Sequence, residues 1–279
     1  MERMYFDLRD SAFKGRLLVC DMDGTLLDSS SKVSAENKKA LDRFVAGGGL
    51  FAVATGRMEK SVQQYLDVLP INMPVILYNG AMLYDFKEKR ILWRADLDPA
   101  VAGPVRDVLR QFPDVSVQVY HGGNVYLASE NIHSYEHMIR ENLEPVRLAM
   151  EEVPQPWIKF ILAWDPPKLR EVEEFLSRYE VPFRQVYSEP QFLELLNPDA
   201  TKGSALKELI RLSGLEKSRI ISMGDNPNDI EMIEEAGTGI AVGNAHSALK
   251  AVADMCCTDN NSNAVSEVIS WIETGKISC

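Results

Sequence analysis

The chain has 279 residues, 46% hydrophobic and 25% charged, with a formal net charge of -11; this is the make-up of a soluble globular protein of one large or two modest domains. That charge argues against nucleic-acid and anionic-membrane partners, which need clustered Lys and Arg, but leaves room for a small anionic substrate that responds to local charge. No apolar stretch reaches membrane-spanning length and residues 1–15 lack the apolar run of a secretory signal; Cys20, Cys256, Cys257 and Cys279 show neither a C-x-x-C pair nor a disulfide framework, so reduced thiols in a cytoplasmic protein are expected.

Residues 16–21 read as a buried parallel strand, because an apolar run there ends in a turn signal. A helix over 34–45 follows, with Ser34 as its N-cap and Gly47-Gly48-Gly49 as its stop. A strand over 50–54, a helix over 58–69 and a strand over 74–78 continue the alternation, and 81–85 and 90–94 form hairpin arms. The rhythm then changes. Strands over 115–121 and 124–128 flank Gly122-Gly123, a helix covers 130–141, and strand, helix, strand follow over 157–164, 166–179 and 183–187. After Pro198 the alternation returns, with helices over 201–212, 228–235, 247–253 and 265–272 and strands over 220–223 and 239–242. The expected fold is α/β: a doubly wound, Rossmann-like parallel-sheet core over 1–83 and 190–279, with an inserted α+β cap domain over 84–189.

Four signals stand where core strands end. Asp21-Met22-Asp23-Gly24-Thr25 puts two carboxylates one residue apart in the crevice outside a strand's carboxyl end. Like charges so close resist joint ionisation, so a cation or a shared proton is expected there. A calcium loop would need its glycine at the sixth position, and Gly24 is fourth. Ala54-Thr55-Gly56-Arg57 offers a hydroxyl and a glycine amide, Lys202 a cation, and Gly224-Asp225-Asn226-Pro227-Asn228-Asp229 an acid-rich turn. Taken singly, the Thr55-Gly56 turn reads as a helix cap and Lys202 as a solvated helix residue. Together the four suit phosphoryl transfer: oxygen ligands for a hard cation, amides and a lysine for phosphate, and a carboxylate nucleophile.

These motifs, in this order, resemble the haloacid dehalogenase-like superfamily, and the inserted module resembles the type IIB cap of its Cof-like hydrolases; the resemblance runs from Arg16 to about Ile272. It implies a Mg2+-dependent phosphatase that works through an aspartyl-phosphate. On that resemblance Asp21 matches the nucleophile, and Asp23 the general acid and base with its carbonyl on the metal. Asp225 matches the remaining metal ligand. Thr55 and Gly56, with Met22, Lys202 and Asn228, match the phosphate-binding positions, and Asn226 and Asp229 lie behind them. Asn79, Gly80 and Arg57 fall beside the substrate, and Lys159 is a candidate cation facing it, against the plainer reading of a solvated strand residue.

The expected substrate is a small phosphorylated metabolite such as a sugar phosphate, flavin mononucleotide or pyridoxal phosphate. A sugar phosphomutase of the same superfamily, and a non-catalytic phospho-accepting or ligand-sensing regulator, are the alternatives. His133 and His137 stand at i and i+4 without the Glu of a zinc-protease helix and read as a surface pair. Trp157, Phe160 and Trp164 read as packing within the cap. Oligomeric state leaves no signature in the sequence.

Overall fold

The computed structural model of the protein describes residues 11–277, so most of the expected signal-free leader and Cys279 lie outside the described residues. Strand β1 (Leu17–Asp21), helix α1 (Ala35–Ala46), β2 (Leu50–Ala54), α2 (Glu59–Gln63) and β3 (Val75–Leu77) alternate as expected. β4 (Met82–Asp85) and β5 (Arg90–Arg94) form the hairpin. Next come α3 (Ala102–Gln111), β6 (Ser116–His121), β7 (Asn124–Ser129), α4 (Ile132–Glu141) and β8 (Val146–Arg147). They lead into β9 (Lys159–Ala163), α5 (Pro166–Leu176), β10 (Arg184–Glu189) and β11 (Phe192–Leu196). The chain continues through α6 (Lys202–Ser213), β12 (Ile220–Gly224), α7 (Ile230–Glu235), β13 (Thr238–Ala241), α8 (Ser247–Val252), β14 (Met255–Cys256) and α9 (Ala264–Glu273).

Eight strands form one sheet in the order β14-β13-β12-β1-β2-β3-β4-β5, parallel from β14 to β3. Every residue of β1 is buried, because helices cover both faces. Leu17 and Val19 point toward Ala205, Leu206, Leu209 and Met232 of α6 and α7. Leu18 and Cys20 point toward Leu41, Phe44, Val265 and Ile269 of α1 and α9. α1 starts where Ser34 Oγ accepts from Asn37 N–H at 3.1 Å, as its N-cap role requires. From β1 the chain moves to β2 on one side and later to β12 on the other. Asp21 therefore sits at the switch point where an open α/β sheet leaves its crevice.

A second sheet of six strands runs β10-β11-β9-β6-β7-β8, antiparallel except for β7 with β8. Val117, Val119, Phe160, Leu162, Leu193 and Leu195 pack on one face with Val105 and Val108 of α3 and Leu169, Val172 and Leu176 of α5. Trp157 stacks edge-on to Phe160 at 5.2 Å inside this layer. The other face, with Tyr120, Ile161 and Phe192, joins the apolar cluster of the larger sheet.

The crossings between sheets fall later than the expected limits at 84 and 189. The β4–β5 hairpin continues the larger sheet, since Leu77 pairs with Met82 and Met82 with Arg94. β11 belongs to the smaller sheet, with Leu196 paired to Lys159. Residues 95–98 and 197–201 make the two crossings. Helix α2 is shorter than expected, because beyond Gln63 tighter bonds take over, such as Tyr65 N–H to Val62 O at 2.9 Å.

Candidate active site

Asp21 ends β1 almost fully buried, and Lys202, the first residue of α6, reaches it through the core. Lys202 Nζ lies 2.6 Å from Asp21 Oδ1 and 2.6 Å from Asp229 Oδ1. Gly80 makes this approach possible: its φ is +95°, and a Cβ there would overlap the Thr201 carbonyl just before α6. Burial opposes the charge on Lys202, yet the two carboxylates hold its ammonium protonated above its usual range.

The loop after β12 carries Asp225. Its Oδ1 accepts from Thr25 Oγ1 at 3.3 Å and its Oδ2 from Asn226 Nδ2 at 3.0 Å. Asp229 folds back beneath it: Oδ2 accepts from the backbone N–H of Asp225 at 3.0 Å and of Asn226 at 3.2 Å. Asp21, Asp225 and Asp229 each bring a carboxylate oxygen within 4.8 Å of the others. Burial pushes the Asp21 carboxyl well above its usual range; Lys202 pulls it down, while Asp229 and Asp225 add to the rise. Burial and Asp229 push Asp225 up to about 6. Acids so crowded call for a cation.

The donor set suits a hard divalent ion. Asp21 and Asp225 line the cavity, whereas Asp229 is fully buried behind it and bound to Lys202, which leaves Asp21 and Asp225 as the carboxylates best placed to ligate. Gly24, at φ +82°, brings the backbone beside Asp23 close against Asp225, where a Cβ would lie 2.5 Å from Oδ2. No side chain could occupy that cradle.

Thr55 and Gly56 follow β2. The Arg57 N–H donates to Thr55 Oγ1 at 3.2 Å, and Asn79 N–H to the Thr55 carbonyl at 3.0 Å. Because the Thr55 oxygen already accepts, its own proton is free to donate into the crevice. Asn79 is left-handed, φ 56°, and its Oδ1 accepts from Asn228 Nδ2 at 3.0 Å. The Arg57 guanidinium grips the Asp23 carboxylate and faces Tyr65 at 5.6 Å.

One cavity of about 370 Å³ gathers most of these groups: Asp21, Asp23, Thr55, Gly56, Arg57, Asn79, Lys159, Asp225, Asn226 and Asn228 line it. Lys202 and Asp229 stand behind its wall rather than in it. Gly80 supports α6, and the Met22 side chain is buried in the core while its carbonyl accepts from Leu27 N–H at 2.8 Å. Lys159 is not a solvated residue: it is buried, and its Nζ donates to Glu194 Oε2 and to the Gly56 carbonyl.

The smaller sheet and α4 supply the far wall, including Tyr120, His137, Arg140, Glu141, Glu189 and Phe192. No sequence motif marks these positions, since they come from four elements that only the fold assembles. His137 corrects the surface-pair expectation. It is buried, its ring centroid is 4.8 Å from that of Phe192, and Nδ1 lies 2.9 Å from Gln118 Oε1. His133 turns outward to Asp165 at 2.9 Å.

A profile of the haloacid dehalogenase-like hydrolases matches residues 18–269, so the chain belongs to that family. It is 30% identical to the putative phosphatase YxeH of Bacillus subtilis (strain 168), over 94% of this chain and 99% of that protein. It is 27% identical to the pyridoxal phosphate phosphatase YbhA of Escherichia coli (strain K12), over 91% and 97%. A haloacid dehalogenase-like hydrolase from Bacteroides thetaiotaomicron superposes with a TM-score of 0.85 at 26% identity, covering 93% of this chain and all of the other. The chain is thus an enzyme of a hydrolase family, and the two relatives just described carry the names of phosphatases.

Proposed function

We propose that the protein is a Mg2+-dependent phosphatase that hydrolyses a small phosphorylated metabolite through an aspartyl-phosphate on Asp21. The observation that carries this reading is the placement of Asp21. Its carboxylate faces a cavity while Lys202 holds one oxygen from behind at 2.6 Å. A nucleophile fixed in one orientation beside a phosphate site needs little reorganisation to attack.

Asp21, Asp225 and the Asp23 carbonyl would hold the ion. Bound there, Mg2+ would neutralise phosphate charge so that a carboxylate can approach a dianion. The Thr55 hydroxyl and the Gly56 N–H would bind the phosphate oxygens. Asp21 attacks phosphorus as the bond to the leaving oxygen breaks, and Asp23 gives that oxygen a proton. Asp23 then takes a proton from the water that attacks the phosphorus of the aspartyl-phosphate; the P–O bond to Asp21 breaks, inorganic phosphate leaves and the Asp21 carboxylate is restored. The smaller sheet acts as a cap over the site. Its aromatic and charged wall would choose the leaving group among sugar, flavin or pyridoxal phosphates. A cytoplasmic setting, drawn from the cysteine pattern, belongs to the same proposal.

The test is release of inorganic phosphate from a panel of these esters with Mg2+, beside Asp21→Asn. Turnover of at least one ester that vanishes in the variant is expected; no turnover on any ester would refute the reading.

A further inference from the structure

Lys159 on β9 pairs in register with Leu196 of β11, so Glu194, two residues earlier, is its diagonal neighbour on the same face. Their side chains are 3% and 2% exposed and meet at 3.0 Å. A buried ion pair gains little stability by itself, because desolvating both charges offsets most of their attraction. The outward bonds of this pair explain it better, since both cross to the other sheet. Lys159 Nζ donates to the Gly56 carbonyl at 3.0 Å. Glu194 Oε2 accepts from Asn79 Nδ2 at 2.9 Å. The Lys159 ammonium also faces the Tyr120 ring at 4.9 Å and the Tyr78 ring at 5.9 Å. Two hydrogen bonds and two aromatic faces engage this cation with protein groups rather than leaving it for a substrate.

We propose that the Lys159–Glu194 pair is a positioning device that couples closure of the smaller sheet to assembly of the phosphate-binding loop. It rests on the phosphatase reading above. The Gly56 carbonyl and the Arg57 N–H belong to one rigid peptide plane. Holding the carbonyl sets the direction of that N–H, which donates to Thr55 Oγ1 at 3.2 Å. The Thr55 proton is thereby turned toward the cavity. Glu194 does the matching work on Asn79, whose amide oxygen takes the Asn228 Nδ2 proton at 3.0 Å. One pair thus touches both loops that flank the phosphate position. When the smaller sheet lifts away, Lys159 and Glu194 leave with it, and Gly56 and Asn79 lose these partners. Coupling of this kind is reciprocal, so phosphate seated on the ordered loop favours closure.

The test uses p-nitrophenyl phosphate with Mg2+, and inorganic phosphate as competitor. Lys159→Gln should weaken phosphate inhibition and raise KM by about tenfold, with a much smaller change in kcat. Lys159→Arg, which keeps the charge and the donors, should restore part of the loss. A folded Lys159→Gln protein whose phosphate inhibition matches the wild type would overturn the inference, as would a loss confined to kcat. If that variant does not fold, hydrogen exchange on the wild type decides. Inorganic phosphate should then slow exchange at residues 55–58 and also at the crossings 95–98 and 197–201. Protection confined to 55–58 would overturn the coupling. A wild type that hydrolyses no phosphate ester would remove the phosphatase reading, and this inference with it.

Discussion

Arg57 holds Asp23 by two parallel hydrogen bonds, Nε to Oδ2 at 2.8 Å and Nη2 to Oδ1 at 2.7 Å. Its remaining nitrogen, Nη1, lies 3.4 Å from Glu141 of α4, so one guanidinium joins the proposed acid to the opposite wall. The fork fixes the plane of the Asp23 carboxylate, and each of its oxygens keeps a second lone-pair site that can face the cavity. Arg57→Gln should lower turnover of alkyl phosphates by about a hundredfold through lost orientation. p-Nitrophenyl phosphate should suffer much less, because its phenolate leaves without a proton. Equal losses on both ester classes would contradict a proton-donating Asp23.

Asp21→Asn keeps the shape of the side chain but removes the attacking charge. Turnover should fall by roughly three powers of ten or more, and a variant above about a tenth of wild-type activity would refute the nucleophile assignment. Lys202→Met offers a contrast in stability. It leaves Asp21 and Asp229 buried without their shared cation. A cost of about 3–5 kcal/mol is expected in urea unfolding.

With Asp225 as a proposed ligand, magnesium binding should depend on pH. Burial and Asp229 raise its carboxyl to about 6, above its ordinary 3.8, so the metal-free fold binds more protons than the unfolded chain between those values. That contribution to stability is complete below the lower value and is lost as pH rises through the upper one. Mg2+ must displace the same proton. Its effect on the thermal midpoint should therefore grow from pH 5 to pH 7 and level off above, and an effect independent of pH would count against Asp225 as a ligand. Ca2+, with its looser coordination, should inhibit, and excess chelator should abolish turnover.

His137 has the opposite sign. Burial first, then the charges of Lys159, Arg140 and Arg57, hold its imidazole well below the ordinary 6.5. The unfolded chain takes up a proton below 6.5 that the folded protein refuses, so stability is present above that value and is lost as pH falls beneath it. His137→Gln should flatten this dependence. The check is the urea midpoint at pH 7.5 and 5.5 for both proteins; identical slopes would show that His137 is not the responsible group.

The elements legible in the sequence are those that carry their own local signal. β1 and its terminal Asp21, α1 with the Ser34 cap, and α6 opening at Lys202 after the Thr201 cap stand within a residue or so of expectation. Four elements escaped: the two-residue strands β8 and β14, and the longer α3 and β11. α3 begins with Ala102-Gly103-Pro104, which conceals an amphipathic helix behind residues that favour turns. β11 carries a charge in the middle of an apolar run, and Glu194 makes sense there only with Lys159 and Asn79 beside it. The same cause hid the far wall of the cavity. Tyr120, His137, Glu189 and Phe192 come from four elements, and tertiary packing alone makes them neighbours. The motif residues are legible because each cluster is local; their partners are not.

The placement of β1 between β2 and β12 also bears on how the chain folds. Leu17 finds Leu50 within a few dozen residues, but its other neighbour, Ile220, is about two hundred residues away. Contacts of such high sequence separation form late, after the entropy of a long closed loop has been overcome. During synthesis the six-stranded sheet, whose strands all lie between Ser116 and Leu196, emerges before β12 exists. Until then β1 carries an unpaired edge, the kind of strand that invites pairing with another chain. Nascent chains halted before residue 220 should therefore aggregate readily, and the cluster of Asp21, Lys202, Asp225 and Asp229 should be among the last parts of the molecule to form.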